Sequence, residues 1–151
     1  MKFTFTQSDS TYEDIQELRK NTDCILIDHK KMKSQDLFMV DDPEFDRRLQ
    51  PLRLVVVNLS ELDPYWKILN DPMKRNTMVI SPDDEVRAHP DIVRLLESMG
   101  VALLMSKRNE SHQIDLEGLT KSLKSLRFER VLVEDTIDLI PELTQQVLIN
   151  R

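Results

Sequence analysis

The residues most able to do chemistry in this chain lie just after its apolar runs. Lys30, Lys31 and Lys33 follow the run Cys24-Ile25-Leu26-Ile27. Three close ammonium groups can hold a phosphate as point charges, or form a solvated basic turn balanced by Asp41, Asp42, Glu44 and Asp46. Glu134 follows Val131-Leu132-Val133 and so falls at the carboxyl end of a buried strand, where open α/β sheets bind ligands; the competing role is to cap that strand end. His29 beside Asp28 makes an oriented imidazole available. With no cysteine or second histidine nearby in sequence, no metal site is expected. His89 and His112 are expected to be solvated. Ser8, Asp9 and Ser10 suit helix capping better than nucleophilic attack, and no serine–histidine–acid arrangement is apparent. Tyr65 and Trp66 can cover a sheet edge or face a partner, but two adjacent aromatics are too few for a base-stacking platform.

The elements that must position these groups follow from periodicity. Residues 2–6 alternate as a short strand. Ser10 and Glu13 match a capping box for a helix through Asn21, with Tyr12, Ile15 and Leu18 at helical spacing. Cys24–Ile27 reads as a buried strand, residues 28–50 as irregular, and Leu52–Val57 as a β-branched strand. Glu61–Asn76, with Pro64 and Pro72, reads as a connection holding a short turn of helix. Thr77–Ile80 is a further strand, broken by Ser81-Pro82-Asp83-Asp84. Pro90 opens a helix that Gly100 stops in a left-handed conformation. Val101–Met105 is a strand, Asp115 caps the helix Leu116–Leu126, Val131–Val133 is the last strand, and Ile137–Ile149 is a final helix with Leu139, Leu143 and Val147 on one face. Short, wholly apolar strands separated by helices imply one domain over residues 1–151: a three-layer α/β structure, its mostly parallel sheet covered by helices on both faces.

Composition narrows the function. A net charge of −6 argues against a nucleic-acid or anionic-membrane binder, since both need a cationic surface. No apolar run is long enough to span a bilayer. The amino terminus is too short and polar for a signal peptide, so a cytoplasmic location is expected. The lone cysteine, Cys24, reads as a buried, inert thiol. Only two glycines occur, Gly100 and Gly118, against an average usage of about 7%. Phosphate-cradling loops need glycine for close approach and positive φ, so neither a Walker loop nor a dinucleotide fingerprint can be written here.

Four stretches in collinear order resemble the pyrimidine reductases of riboflavin biosynthesis, the dihydrofolate-reductase-like domain often fused behind a deaminase. Leu18-Arg19 through Ile27 is similar to the family's Leu-Arg…Ala-Asp-Ala-Ile-Leu-Val, and Gln50–Val57 to its Pro-Leu-Arg-Val-Val-Val-Asp. Thr77–Ser81 is similar to Thr-Leu-Val-Val-Thr, and Ile114-Asp115-Leu116 with Arg130–Glu134 to Val-Asp-Leu…Val-Leu-Val-Glu-Gly-Gly. The resemblance implies NADPH as hydride donor, with Ser81, Asp135 and Thr136 beside it. It implies a phosphoribosylamino-pyrimidine substrate near Lys33, Asp36 and Glu134.

The departures from the family fall in its ligand loops. The family's Gly-x-Gly-Thr-Val-Arg-x-Asp-Asp-Pro, which contacts ribose phosphate, here reads Asp28-His29-Lys30-Lys31-Met32-Lys33-Ser34-Gln35-Asp36-Leu37. Lys33 in place of arginine keeps the charge and loses the bidentate fork. After Glu134, Asp135 and Thr136 replace two glycines that lie against cofactor phosphate. The amino-terminal Ser-Leu-Asp-Gly-like signature is reduced to Gln7-Ser8-Asp9-Ser10. The segment that matches the family's carboxyl-terminal strands is expected to be lacking, which would leave a sheet edge open for a second copy or a protein partner. Two expectations follow: an NADPH-dependent pyrimidine reductase, or a degenerate domain kept as a binding or scaffold module.

Overall fold

The computed structural model of the protein describes residues 1–143. Its strands are β1 (Lys2–Phe5), β2 (Cys24–Asp28), β3 (Leu52–Val56), β4 (Thr77–Pro82), β5 (Ala102–Ser106) and β6 (Arg130–Glu134). Its helices are α1 (Tyr12–Lys20), α2 (Asp83–Ala88), α3 (Pro90–Met99) and α4 (Leu116–Ser125). The strands form one six-stranded sheet in the order β1-β6-β2-β3-β4-β5. Every pairing in it is parallel.

All five residues of β2 are buried, as expected of a central strand covered on both faces. Alternate residues feed two cores. Ile25, Ile27, Val55, Val79 and Leu132 face one side, where Leu18 of α1, Val86 of α2 and Leu96 of α3 pack. Cys24, Leu26, Leu54, Val56, Val131 and Val133 face the other, against Leu119 and Leu123 of α4 and against Ile137, Ile140 and Leu143. The three layers are therefore α1–α3, the sheet, and α4 with the segment after β6. Large aliphatic side chains buried in this way stabilise by roughly 1.5–3 kcal/mol each.

Several boundaries differ from the sequence reading. The capping box of α1 is Thr11 with Asp14, not Ser10 with Glu13: Thr11 Oγ1 accepts from Asp14 N at 3.1 Å and Asp14 Oδ2 accepts from Thr11 N at 3.0 Å. Ser10 Oγ instead accepts from Gln7 N. The buried face of α1 carries Gln16 and Arg19, while Tyr12 is exposed. Strand β4 runs on through Pro82, and α2 follows at once. Short 3-10 turns occupy His29–Lys33, Arg47–Leu49, Leu59–Glu61, Lys67–Leu69 and Lys74–Asn76. His89 is half-buried, with Nδ1 2.9 Å from the Glu85 carbonyl, while His112 is exposed. Helical geometry expected from Ile137 begins only at Pro141. Its continuation, with Val147, lies outside the described residues. Gly100 takes the left-handed stop as expected, with φ +76°.

One buried cation braces the amino ends of the central strands. Arg53 in β3 is 1% exposed. It donates to both carboxylate oxygens of Asp71 at 2.7 and 2.9 Å, to Thr77 Oγ1 at 2.7 Å and to the Leu37 carbonyl at 2.9 Å. A planar fork meeting a carboxylate edge-on is the strong form of such a pair.

Candidate functional site at the carboxyl ends of the strands

Strand β6 returns late in the chain and inserts between β1 and β2, so the loops after these three strands converge. They enclose a polar crevice of about 360 Å³. Thr6, Gln7 and Ser10 come from the loop after β1, Lys31, Ser34 and Asp36 from the loop after β2, and Glu134 and Asp135 from the end of β6. This is the place where parallel α/β sheets bind ligands.

Arg19 organises the crevice from behind. It is fully buried and reaches across from α1 to two carboxylates at once. Nε and Nη2 donate to Glu134 at 2.7 Å each, and Nη1 and Nη2 donate to Asp36 at 3.1 and 2.8 Å. Nη1 also donates to the Met39 carbonyl at 3.1 Å, and the guanidinium lies 5.5 Å from the Phe38 ring centre. Burial works against the charged guanidinium, but the bonds to Glu134 and Asp36 outweigh it and raise its pKa. Burial also works against the Asp36 carboxylate; the Arg19 bonds, the Phe38 N–H and the charges of Arg19 and Lys31 leave it below the usual range. Two of the resembling stretches, Leu18-Arg19 and Arg130–Glu134, thus meet as a buried ion pair.

The loops after β2 and β6 are tied together by charge. Lys31 Nζ lies 2.8 Å from Asp135 Oδ2, and Lys30 Nζ lies 2.7 Å from Asp138 Oδ2. Asp28, only 2% exposed, accepts the Asp138 N–H through Oδ2 at 2.8 Å. Asp135 has φ +66° and donates its own N–H to Thr6 Oγ1 at 3.0 Å. The Lys30 ammonium is held above its ordinary value, chiefly by its bond to Asp138. His29 sits with Nδ1 2.8 Å from Asp28 and Nε2 3.0 Å from Glu61.

The structure brings together Lys31, Asp36, Glu134 and Asp135 from among the residues singled out in the sequence, with half-buried Thr136 next in chain. Lys33 lies apart, in a separate shallow surface with His29, Lys30 and Trp66; Lys31 takes the place in the crevice. Ser81 is fully buried at the end of β4, three strands from β6 in the sheet order, and its hydroxyl has no hydrogen-bond partner. Sequence reasoning gave no site role to Arg19 or Thr6, and named Lys31 only as one of three lysines able to hold a phosphate. Arg19 was the one accessible from sequence, because it stands in helical phase with Ile15 and Gln16. Among the described residues no cluster of three or more metal-ligating side chains occurs, and no helix is long and apolar enough to cross a membrane.

This strand order, with all strands parallel and helices on both faces, defines a three-layer α/β protein of the dihydrofolate-reductase-like kind. The solved structures it resembles include two crystal forms of Acinetobacter baumannii RibD, at TM-scores of 0.65 and 0.64 and 17% identity. They also include a pyrimidine reductase-like protein from Corynebacterium diphtheriae, at a TM-score of 0.65 and 13% identity. The likeness covers 96% of this chain for RibD and 95% for the latter. The chain spans 42% of the length of the RibD structures and 68% of the other. No family model and no curated protein matches.

Proposed function

We propose that this chain is a diverged relative of the NADPH-dependent 5-amino-6-(5-phosphoribosylamino)uracil reductases that has given up the dinucleotide and acts as a non-catalytic binding module. The observation that carries this reading is that the two lysines facing the end of β6, and the N–H groups of the loop after β6 that adjoin the crevice, are already engaged. Lys31 and Lys30 are neutralised by Asp135 and Asp138, and the N–H groups of Asp135 and Asp138 serve Thr6 and Asp28. The Asp135 carboxylate stands where the resembling family has glycine. A diphosphate placed there meets an ion pair with no net charge to offer it, and must displace the Asp135 carboxylate to reach Lys31. NADPH therefore does not fit these residues. Asp36 and Glu134 are likewise spent on Arg19 and not offered to a substrate.

The test is thermal unfolding with and without NADPH. A ligand bound only by the folded state at a hundred times its Kd adds about 2.7 kcal/mol. The expectation is no displacement of Tm at about 1 mM NADPH. A saturable increase, or oxidation of NADPH with a pyrimidine substrate, overturns the reading.

A further inference from the structure

A second concavity lies at the opposite end of the sheet. It measures about 580 Å³ and opens between the loop that precedes β3 and the turn at Asp71–Met73 that precedes β4. That size falls within the usual range of small-molecule sites, which are concave, mostly apolar and pre-formed. Its walls are Leu37, Met39, Val40, Phe45, Pro72 and Met73. Water held against such walls finds few partners, so an apolar guest gains by displacing it.

The polar groups of the walls are spent on holding the cavity open. Gln50 holds both backbone groups of one residue: Oε1 accepts from Val40 N at 2.9 Å, and Nε2 donates to Val40 O at 2.8 Å. Asp71 is clamped by Arg53, which also holds the Leu37 carbonyl, so one buried guanidinium fixes both walls relative to β3. Gln50 and Asp71 are thus engaged in fixing the walls.

The rim differs. Asp41 accepts from the Tyr12 hydroxyl at 3.2 Å, and Asp42 lies 3.7 Å from Lys20. Both thus turn toward α1. The next arginine, Arg48, is paired with Asp46. Arg47 lines the mouth and is exposed, with no ion pair or side-chain hydrogen bond among the described residues. We propose that this cavity is a ligand site for a small amphiphilic monoanion, with its apolar body between Met39 and Met73 and its carboxylate on Arg47. This inference deepens the binding-module reading by giving it a site and a ligand class.

The test uses 2-naphthoate with protein labelled at the methionine methyl groups, followed by NMR. Met39 and Met73 methyl resonances are expected to shift saturably, with a Kd below about 1 mM. Arg47→Glu, a surface change that leaves the fold intact by its far-ultraviolet spectrum, should weaken binding about tenfold or more. Uncharged 2-naphthamide should bind the unaltered protein about as weakly as naphthoate binds that variant. Absence of saturable shifts at Met39 and Met73 overturns the site; equal affinity for naphthoate in Arg47→Glu overturns the ligand class. Neither result bears on NADPH, so failure here is distinct from failure of the non-catalytic reading, which NADPH binding or oxidation overturns.

Discussion

Replacing Arg19 by methionine isolates the device on which the crevice depends. Methionine restores much of the aliphatic volume, so the change is chiefly electrostatic. It leaves Glu134, 6% exposed, without the two 2.7 Å bonds that compensate its burial. Breaking a buried pair from one side typically costs about 3–5 kcal/mol. Asp36, with 27% of its side chain exposed, also loses the Arg19 bonds that hold it below the usual carboxylate range. A group whose folded value is lowered contributes stability that is present above its unfolded value and lost as pH falls, so the part of the deficit that comes from Asp36 shrinks in acid. Urea unfolding followed by circular dichroism should give a deficit against the unaltered protein of about 3–5 kcal/mol at pH 7 that becomes smaller below about pH 4. A deficit below about 1 kcal/mol at pH 7, or one that grows as pH falls, refutes the reasoning.

Two further outcomes test other parts of the structure. Cys24 is fully buried, and burial with the nearby Asp23 charge pushes its thiol up to about 12; iodoacetamide should leave the native protein unmodified by mass spectrometry and add one adduct after unfolding. Asp23 tends to be raised by burial, but the N–H groups of Glu129 and Arg130, at 2.8 Å each, hold it below its usual value. Its contribution is therefore present above about pH 4 and fades as pH falls through the lowered value, so Asp23→Asn should cost about 1 kcal/mol at neutral pH and nothing near pH 2 in denaturant titrations.

How far the sequence discloses this structure depends on whether a residue's neighbours are local. Strands β2, β3 and β6 were legible because burial on both faces demands unbroken apolar residues. The end of β4 was not: Pro82 looks like a breaker, yet at the last position of a strand a missing N–H costs nothing when no partner needs it. The inner face of α1 was misjudged for a related reason. Gln16 and Arg19 are buried only because their partners wait at Met39, Asp41 and Glu134, up to 115 residues away. The exchange of Lys31 for Lys33 comes from local geometry. Residues 29–33 form a 3-10 turn, in which side chains three apart eclipse. Lys30 and Lys33 therefore share one surface, while Lys31 is turned into the crevice.

The loop after β6 joins these threads. Asp135 holds φ +66° without glycine, a conformation that aspartate tolerates better than most residues because its short polar side chain can bond locally. The backbone path suited to a glycine can thus persist while the chemistry it presents is reversed, a carboxylate pointing where open space and a free N–H would be. On the proposed reading, that reversal is not one substitution deep. Removing the Asp135 carboxylate releases Lys31 but leaves Lys30 on Asp138 and the Asp138 N–H on Asp28. Such layering is affordable because neither apolar core draws on these side chains: the sheet is held by Leu26, Val55, Val133 and their neighbours, and the loops at its carboxyl ends are free to exchange ligand chemistry for internal ion pairs without loss of the fold.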